Sequence, residues 1–270
     1  MKIFTARENF FHDLIEEIRL IIHLALRDFK IKYSRNYFGL AWAVLEPLAL
    51  LVIMLVVFTY LRHRGDRENI PFAVYMLSGL VGFEFISKGL QQATQSIRSY
   101  SYLIKLLHIP VGLIPSISLM SAFFTNLIIL GIATGIILLH GFPVTWYWFQ
   151  LLYFMLASWV FLIGLSWITS SVVIFVRDLQ YVIGIVMRGL FFLTPIFWDL
   201  SMFPEKYRVW FKLNPLFHIV DGYRKTLLFG KTFWSDVEAM FSFWGATFII
   251  LLTGYYVFNK LSPHFADEIR

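Results

Sequence analysis

Residues 106–176 read LLHIPVGLIPSISLMSAFFTNLIILGIATGIILLHGFPVTWYWFQLLYFMLASWVFLIGLSWITSSVVIFV, with no Lys, Arg, Asp or Glu between Lys105 and Arg177. A helix needs about 20 apolar residues to cross the hydrocarbon core of a bilayer. The stretch is therefore long enough for two crossings, and His140-Gly141-Phe142-Pro143 is the expected turn between them. This segment predicts a pair of helices in a membrane.

The composition of the whole chain agrees with a membrane protein. Of its 270 residues, 59% are hydrophobic, 19% aromatic and only 15% charged, whereas an average soluble domain has about 25% charged residues. The chain has no cysteine, which excludes disulfides and thiolate metal sites. Its net charge of +6 comes partly from a basic N-terminal segment, so no nucleic-acid partner is expected.

The N-terminal segment, residues 1–35, is predicted to be a cytoplasmic amphipathic helix at the membrane interface. Apolar residues recur at helical spacing over residues 9–30, with charged and polar residues on the opposite face. The cationic side chains are Lys2, Arg7, Arg19, Arg27, Lys30, Lys32 and Arg35. Since cytoplasmic segments are enriched in Lys and Arg, this segment is placed inside. A soluble helix packed on a partner is the alternative.

Apolar runs divide the rest of the chain into six predicted transmembrane helices. Their expected ranges are 37–61, 71–95, 110–139, 146–176, 179–198 and 237–258. The predicted fold is an all-α integral membrane protein, with a single six-span domain over residues 36–260 and a cytoplasmic tail over 261–270. Six spans place both termini on the same side, which the basic N-terminal segment indicates is the cytoplasm.

The connection before the last span predicts a re-entrant pair of short helices over residues 203–229. Pro204 suits the start of a helix, Asn214-Pro215 breaks it, and Gly230 suits its end. Each helix is too short to cross a bilayer, yet the segment is rich in aromatic side chains, which a solvated loop would not need. An aromatic belt that anchors the protein at the interface is the alternative.

Four ionisable residues fall inside the predicted spans, where each charge costs about 2.5–3.5 kcal/mol at mid-span. Glu84 and Lys88 are four residues apart, so they are predicted to pair on one helix face. Glu46 and Arg188 have no partner nearby in the sequence. Each either pairs between helices or lies on a water-filled passage, and the sequence leaves both alternatives open.

No catalytic, metal or nucleotide site is recognisable in the sequence. Gly230-Lys231-Thr232 looks like the end of a phosphate-binding loop, but the required earlier glycine position holds Lys225 and no strand precedes it. No two histidines have metal-ligand spacing on one helix. No catalytic or metal-binding residue is therefore expected, and an active pump would need its ATPase as a separate subunit.

Six short strings carry a resemblance to a known family. They are RDFKIKY at 27–33, YFGLAWAVLEP at 37–47, FVRDL at 175–179, TPIF at 194–197, LNPL at 213–216 and DGYR at 221–224. Together, and in this order over nearly the whole chain, they resemble polysaccharide ABC exporter permeases, the transmembrane subunits that export O-antigen, capsule and wall teichoic acid. The last two strings look slightly more like those of teichoic acid exporters than those of capsule exporters.

The resemblance implies a permease homodimer in the bacterial cytoplasmic membrane, paired with two copies of a cytoplasmic ATP-binding subunit. The implied substrate is an undecaprenyl-diphosphate-linked polymer. ATP and Mg²⁺ would bind the partner subunit, and no cofactor is expected in this chain. Residues 98–108 are expected to dock on the ATPase, because they combine apolar anchors with cations. The expected coupling residues are Arg98, Tyr100, Tyr102, Leu103, Lys105 and Leu106.

In this interpretation the re-entrant pair is an exit gate, because rings with polar tips can guide a glycan without reading its sugar sequence. The expected substrate pathway comprises Tyr37, Trp42, Glu46, Glu84, Lys88, Arg188, Tyr207, Trp210 and Tyr223. Two alternatives belong to other classes of protein. One is an integral membrane glycosyl or acyl transferase acting on a polyprenyl-linked substrate, and the other is a passive channel or secondary transporter.

Overall fold

The computed structural model describes residues 10–34, 37–61, 70–101 and 110–268, and the elements in these ranges are helices. They are α1 (Phe10–Ser34), α2 (Trp42–Leu61), α3 (Phe72–Ser99), α4 (Ile114–Leu139), α5 (Gln150–Phe175), α6 (Leu179–Leu193), α7 (Glu205–Lys212), α8 (Pro215–Arg224), α9 (Val237–Leu261) and α10 (Phe265–Glu268). Short 3₁₀ helices lead into α2, α4 and α5 at Gly39–Ala41, Val111–Leu113 and Trp146–Phe149.

Four helical stretches in the described ranges are long and apolar enough to cross a membrane. They are Phe72–Ser99, Val111–Leu139, Trp146–Phe175 and Val237–His264. A fifth is obtained if the bent pair Glu17–Ser34 and Gly39–Met54 counts as one span. The all-helical membrane fold is therefore confirmed, whereas the full set of six spans is not.

Helix α6 is shorter than the predicted fifth span. It has 15 residues, which at about 1.5 Å per residue gives about 22 Å, less than the roughly 30 Å hydrocarbon core. The predicted end at Trp198 is wrong, because Thr194 leaves the helix with extended backbone (ψ 146°) directly before Pro195. Proline disfavours helical backbone in the residue before it. The Thr194 hydroxyl donates to the Leu190 carbonyl at 2.6 Å and satisfies one acceptor of the last turn.

Helix α1 packs on α4 of the same chain. Ala25 and Tyr33 are buried, and the Phe29 ring meets Phe124 edge-on at 6.2 Å between centroids. Ile18, Ile22 and Leu26, which belong to the predicted apolar face, stay substantially exposed. The interfacial position of α1 therefore remains a prediction, and these exposed side chains are the ones that would enter lipid.

Helix α3 is the centre of the bundle, in contact with α4, α5 and α8. Its apolar face is buried along most of its length, and its Thr94 hydroxyl lies 2.9 Å from that of Thr169 on α5. Helices α5 and α9 approach each other at Gly164 and Gly254, where a Cβ on Gly254 would lie 2.4 Å from the Gly164 carbonyl oxygen. Close backbone approach at small residues is a usual form of packing in membranes.

A second, smaller apolar cluster closes one end of the bundle. It consists of Ile97, Ile114, Ile174, Phe258 and Phe265, with Leu24 of α1 and Tyr100 packed against it. The predicted tail therefore folds back onto the bundle, since Phe265 of α10 is buried there. The N-terminal helix and the tail consequently meet at the same end of the molecule.

The two short helices predicted over residues 203–229 are present. They are α7 and α8, and a π-helical turn, Lys225–Phe229, extends α8 to Gly230. Asn214 separates them, with its Oδ1 atom accepting from the Leu216 amide at 3.0 Å. Gly230 ends the pair in left-handed backbone (φ +56°), which glycine adopts at little cost. Their entry into a membrane leaflet stays a prediction.

Candidate functional site

Three ionisable side chains of α2 and α3 form one cluster. The Lys88 Nζ atom lies 3.1 Å from Glu84 Oε2 and 3.9 Å from Glu46 Oε1. The predicted Glu84–Lys88 pair is confirmed, and Glu46 takes the interhelical alternative. The Glu46 side chain is 59% exposed, against 16% for Glu84, so the cluster opens to the surface through Glu46.

Accessible aromatic side chains precede Glu46 at the start of α2. Trp42 lies one turn before Glu46 and is partly exposed, and Tyr37, before the helix begins, is 99% exposed. Residues four apart share a helix face. Ala43 and Leu51 are buried on the other side. The predicted pathway residues Tyr37, Trp42 and Glu46 therefore stay accessible while α2 packs on α3 and α4.

Arg188 is separate from this cluster. Its Nε atom donates to the Gly184 carbonyl of its own helix at 3.1 Å, and its side chain is exposed. Among the described residues no carboxylate forms an ion pair with it, so the interhelical pair is not observed, and a place for Arg188 on a water-filled passage stays a prediction. The neighbouring Val182 and Ile185 are also exposed. The structure thus leaves Arg188 on an open apolar face of α6.

The predicted gate aromatics divide into two groups. Tyr207 and Trp210, on α7, are exposed. Tyr223, on α8, is fully buried, with its ring 6.0 Å from that of Phe154 and against Gly82. Tyr223 could contact a substrate only after α8 had moved. Its place in the pathway and the role of these helices as a gate therefore stay predictions, and of the three rings those of Tyr207 and Trp210 are accessible.

Two lysines join the gate helices to the start of α9. Lys212 Nζ lies 2.9 Å from Glu238 Oε2 and 3.1 Å from Asp236 Oδ1. Lys225 Nζ lies 2.8 Å from Asp221 Oδ2 and 3.9 Å from Asp236 Oδ2. Burial lowers the pKa of Lys212, but hydrogen bonds and attraction from Glu238 and Asp236 outweigh this effect, and the pKa is raised. Asp236 is therefore shared between α7 and the turn after α8.

A hydrogen-bonded chain of side chains connects α9, α5 and α8. Trp244 Nε1 donates to the Tyr153 hydroxyl at 2.9 Å, and that hydroxyl lies 3.2 Å from His218 Nε2. Tyr153 can donate onward only if Nε2 carries no proton, as in a neutral imidazole. Burial, reinforced by the positive charge of Lys225, lowers the pKa of His218 to about 4. His218 is therefore neutral at physiological pH and cannot add charge to the site.

The predicted coupling segment is only partly within the described residues. Arg98 is exposed at the end of α3, whereas Tyr100 packs on the small apolar cluster beside Ile97. Burial and the nearby Asp28 carboxylate raise the pKa of the Tyr100 phenol. Tyr100 is thus in contact with this chain rather than free to anchor a partner. The other expected coupling residues lie outside the described residues: Tyr102, Leu103, Lys105 and Leu106.

The sequence interpretation missed several residues at the gate. Lys212 and Asp236 pair across 24 positions, which no local pattern predicts. Asp221 and Lys225 are four apart on one helix, and that spacing could have indicated their pair. Arg224, within a string that carried the resemblance, is buried. In the part of the chain that the structure describes, no three His, Asp or Glu side chains could hold a metal ion.

Comparisons with known proteins agree with this architecture. The model of the ABC-2 type transporter family matches residues 19–228. An O-antigen export system permease protein (RfbA) of Klebsiella pneumoniae is 23% identical over 92% of this chain and 94% of its own length. The protein of the same name in Myxococcus xanthus is 23% identical over 93% of this chain and 95% of its own length. A polysialic acid transport protein (KpsM) of Escherichia coli is 29% identical over 77% of this chain and 80% of its own length.

The match begins within α1 and continues through the ion cluster to the turn after α8. It therefore includes every helix from α2 to α8. The relatives extend the similarity over more than nine-tenths of this chain. The chain is a multi-pass membrane protein that belongs to the ABC-2 type transporter family.

Proposed function

We propose that this chain is the permease subunit of an ABC exporter that moves lipid-linked polysaccharide across the cytoplasmic membrane. The observation that carries the proposal is the similarity, over nearly full length, to permeases named for O-antigen export. The relative named for polysialic acid transport points to the same class of substrate. A separate ATP-binding subunit supplies the energy, and the permease acts as a homodimer with two copies of that subunit.

The ion cluster and the exposed side of α2 suit a passage for a polar polymer. Charges within apolar helices are stable where they face protein or water, and Glu46 is both paired with Lys88 and exposed. Exposed Trp42, one turn before Glu46 on α2, and exposed Tyr37, before the helix begins, extend this accessible surface. Arg188, on the open face of α6, supplies a cation that attracts a diphosphate group. In the homodimer the two copies of these surfaces face a common passage.

The proposed orientation is supported by where the two ends of the chain pack. Leu24 of α1 and Phe265 near the chain end pack on the same small cluster, which supports placing both termini on one side. That side is the cytoplasm, because the N-terminal segment is basic. Residues 98–108 then face the ATPase as the coupling segment. Helices α7 and α8 lie at the outer leaflet as the exit gate, where the exposed rings of Tyr207 and Trp210 contact the emerging glycan.

Co-purification tests the class of the protein. The chain, expressed with its neighbouring reading frames and extracted in mild detergent, is expected to bring down an ATP-binding protein. Leu103→Asp together with Leu106→Asp should abolish that association if residues 98–108 form the coupling segment. A membrane transferase or a passive channel would purify without the ATPase, and that result would overturn the proposal. The substrate is then assigned among O-antigen, capsule and teichoic acid from the polymer retained in the cell when the permease is removed.

A further inference from the structure

Arg224, at the end of α8, is the largest fully buried side chain of the described residues, at 1% exposure. Arginine is almost never fully buried unless it is paired. Its Nη2 atom donates to the carbonyl oxygens of Pro195 and of Ile196, the latter at 3.3 Å, and its Nε atom donates to the Tyr75 carbonyl at 3.4 Å. Arg224 also lies 3.8 Å from Asp221 of its own helix. The guanidinium thus has partners on α3, on α8 and beyond the end of α6.

Tyr75 holds the same three parts of the chain together. The guanidinium carbon of Arg224 lies 3.7 Å from the centroid of the Tyr75 ring, a cation–π contact. The Tyr75 hydroxyl lies 3.1 Å from the Asp199 carboxylate and 3.3 Å from the Trp198 carbonyl oxygen. Gly79 leaves space for this arrangement, since a Cβ there would lie 2.8 Å from Arg224 Nη2. The Tyr75 ring therefore covers the face of the guanidinium, backbone carbonyl groups accept its N–H groups, and Asp221 lies near its charge.

The carbonyl groups that Arg224 binds are those of the broken end of α6. Because α6 ends at Leu193, the carbonyl oxygens of Pro195 and Ile196 receive no hydrogen bonds from a following helical turn. Ile196 is also fully buried. A buried carbonyl without a donor is costly. The planar guanidinium supplies several donors at fixed angles, which a lysine does not. Two of the strings that carried the family resemblance, residues 194–197 and 221–224, thus meet through one side chain.

We propose that Arg224 is a positioning residue that fastens the end of α6 to gate helix α8, so that these two elements move as one unit during transport. The role of α8 as part of a gate rests on the proposed function. The fastening itself rests only on the contacts above. When α8 moves, the segment Thr194–Trp198 moves with it, and this transmits opening of the gate to the open face of α6 that carries Arg188.

Site-directed cysteine labelling tests the fastening, because the chain has no cysteine of its own. Ile196→Cys places a thiol in the fastened segment, and Ala133→Cys places one in an equally buried position of α4. The probe is N-ethylmaleimide, which crosses the membrane. Arg224→Met should raise the labelling rate at position 196 at least about tenfold, as expected for the loss of charge-assisted hydrogen bonds, and leave position 133 unchanged. Arg224→Lys should act in the same direction if the Met variant does not accumulate.

Arg208→Met is the matched control, since Arg208 also donates to a carbonyl, that of Phe203 at 2.9 Å, but lies on α7. It should leave labelling at both positions unchanged. Unchanged labelling at 196 in both Arg224 variants, or equal increases at 196 and 133, would overturn the fastening. Export per ATP hydrolysed is the second readout and should fall in Arg224→Lys at normal protein level. Undiminished coupling with raised labelling at 196 would overturn the positioning role. Absence of ATP-driven export in the unmodified chain would reject the proposed function alone.

Discussion

The Nζ atom of Lys88 on α3 lies 3.9 Å from the Glu46 carboxylate on α2. The same ammonium group lies 3.1 Å from Glu84, so one cation is shared by two carboxylates and joins two helices. The cluster carries a net negative charge if all three groups are ionised. We infer that this shared cation keeps a polar surface stable on otherwise apolar helices while leaving Glu46 accessible.

Removal of the shared cation should impair export. Lys88→Met leaves Glu84, which is mostly buried, without its ion pair, at a cost of about 1–3 kcal/mol. Export of the lipid-linked polymer, measured at equal protein level in membranes, is expected to fall severely. Exchanging the charges with Glu84→Lys and Lys88→Glu should retain more export than Lys88→Met, because the pair across four residues is kept, but less than the parent chain, because position 88 would then carry a carboxylate beside Glu46. Gln91→Met, at an exposed position of the same helix, is the control. Normal export by Lys88→Met would contradict the proposal that this cluster belongs to the substrate pathway.

The lysine link between α7 and α9 should contribute measurably to stability. Lys212→Met removes the contacts to Asp236 and Glu238, and because the site is partly exposed the loss should be about 1 kcal/mol or less. The melting temperature in detergent is then expected to fall by about 2–4 °C, and high salt should narrow the difference from the parent chain. Lys206 lies on the same helix with its ammonium over the Tyr207 ring. Lys206→Met should lower the melting temperature less. Equal effects of the two substitutions would contradict the link.

The contact of α5 with α9 gives a steric prediction. Gly254→Ala would place a methyl group 2.4 Å from a backbone oxygen, which cannot move aside as a side chain can. Such overpacking costs about 1–3 kcal/mol, and the expected result is a lower yield of folded protein in membranes. Gly245→Ala, on the same helix with nothing within 4 Å of the added carbon, should express normally. Similar yields for both variants would show that the two helices pack differently.

The pH dependence of stability should include a contribution from His218. Its pKa is lowered to about 4 in the folded protein, while the unfolded chain takes up the proton near the ordinary value of about 6.5. The unfolded state therefore binds more protons below pH 6.5, so this contribution to stability is complete above that pH and is lost as the pH falls towards 4. The limiting slope is about 1.4 kcal/mol per pH unit.

Thermal unfolding in detergent between pH 7 and pH 5 measures this contribution. Carboxylates that titrate in the same range affect the parent chain and His218→Gln alike, so the informative quantity is the difference between their slopes. His218→Gln should lose less stability on acidification. Parallel slopes would mean that His218 can be protonated in the folded state.

Local signals in the sequence predicted some of these features well. His140-Gly141-Phe142-Pro143 marked the turn between α4 and α5, where Gly141 has a φ of +86°. Asn214-Pro215 and Gly230 marked the limits of the gate helices. These residues act through their own backbone geometry, so a single sequence is sufficient to interpret them. The Glu84–Lys88 pair belongs to the same kind, because both residues share one helix face.

Features that depend on tertiary contacts were not predicted. The end of α6 was placed too late, since Phe197 and Trp198 continue the apolar run beyond Pro195 and hydrophobicity alone does not show the break. Arg224 and Tyr75 are 149 residues apart, so nothing local indicates that the arginine is buried against that ring. Tyr223 was expected to be accessible, but it is buried because α8 packs against α3 and α5. The aromatic content of residues 203–229 therefore indicated candidate pathway rings but not which of them are exposed.

ATP-driven export in a purified system measures most directly whether this chain moves lipid-linked polysaccharide. The chain and the ATP-binding protein that co-purifies with it are reconstituted in vesicles that hold lipid-linked polysaccharide in the leaflet next to the ATPase. Exposure of the polymer on the opposite side is followed by its cleavage with an added glycosidase. Cleavage is expected to require both ATP and this chain, and to be lost in Lys88→Met. Cleavage without ATP, or an intact polymer in the presence of an active ATPase, would contradict the proposed function.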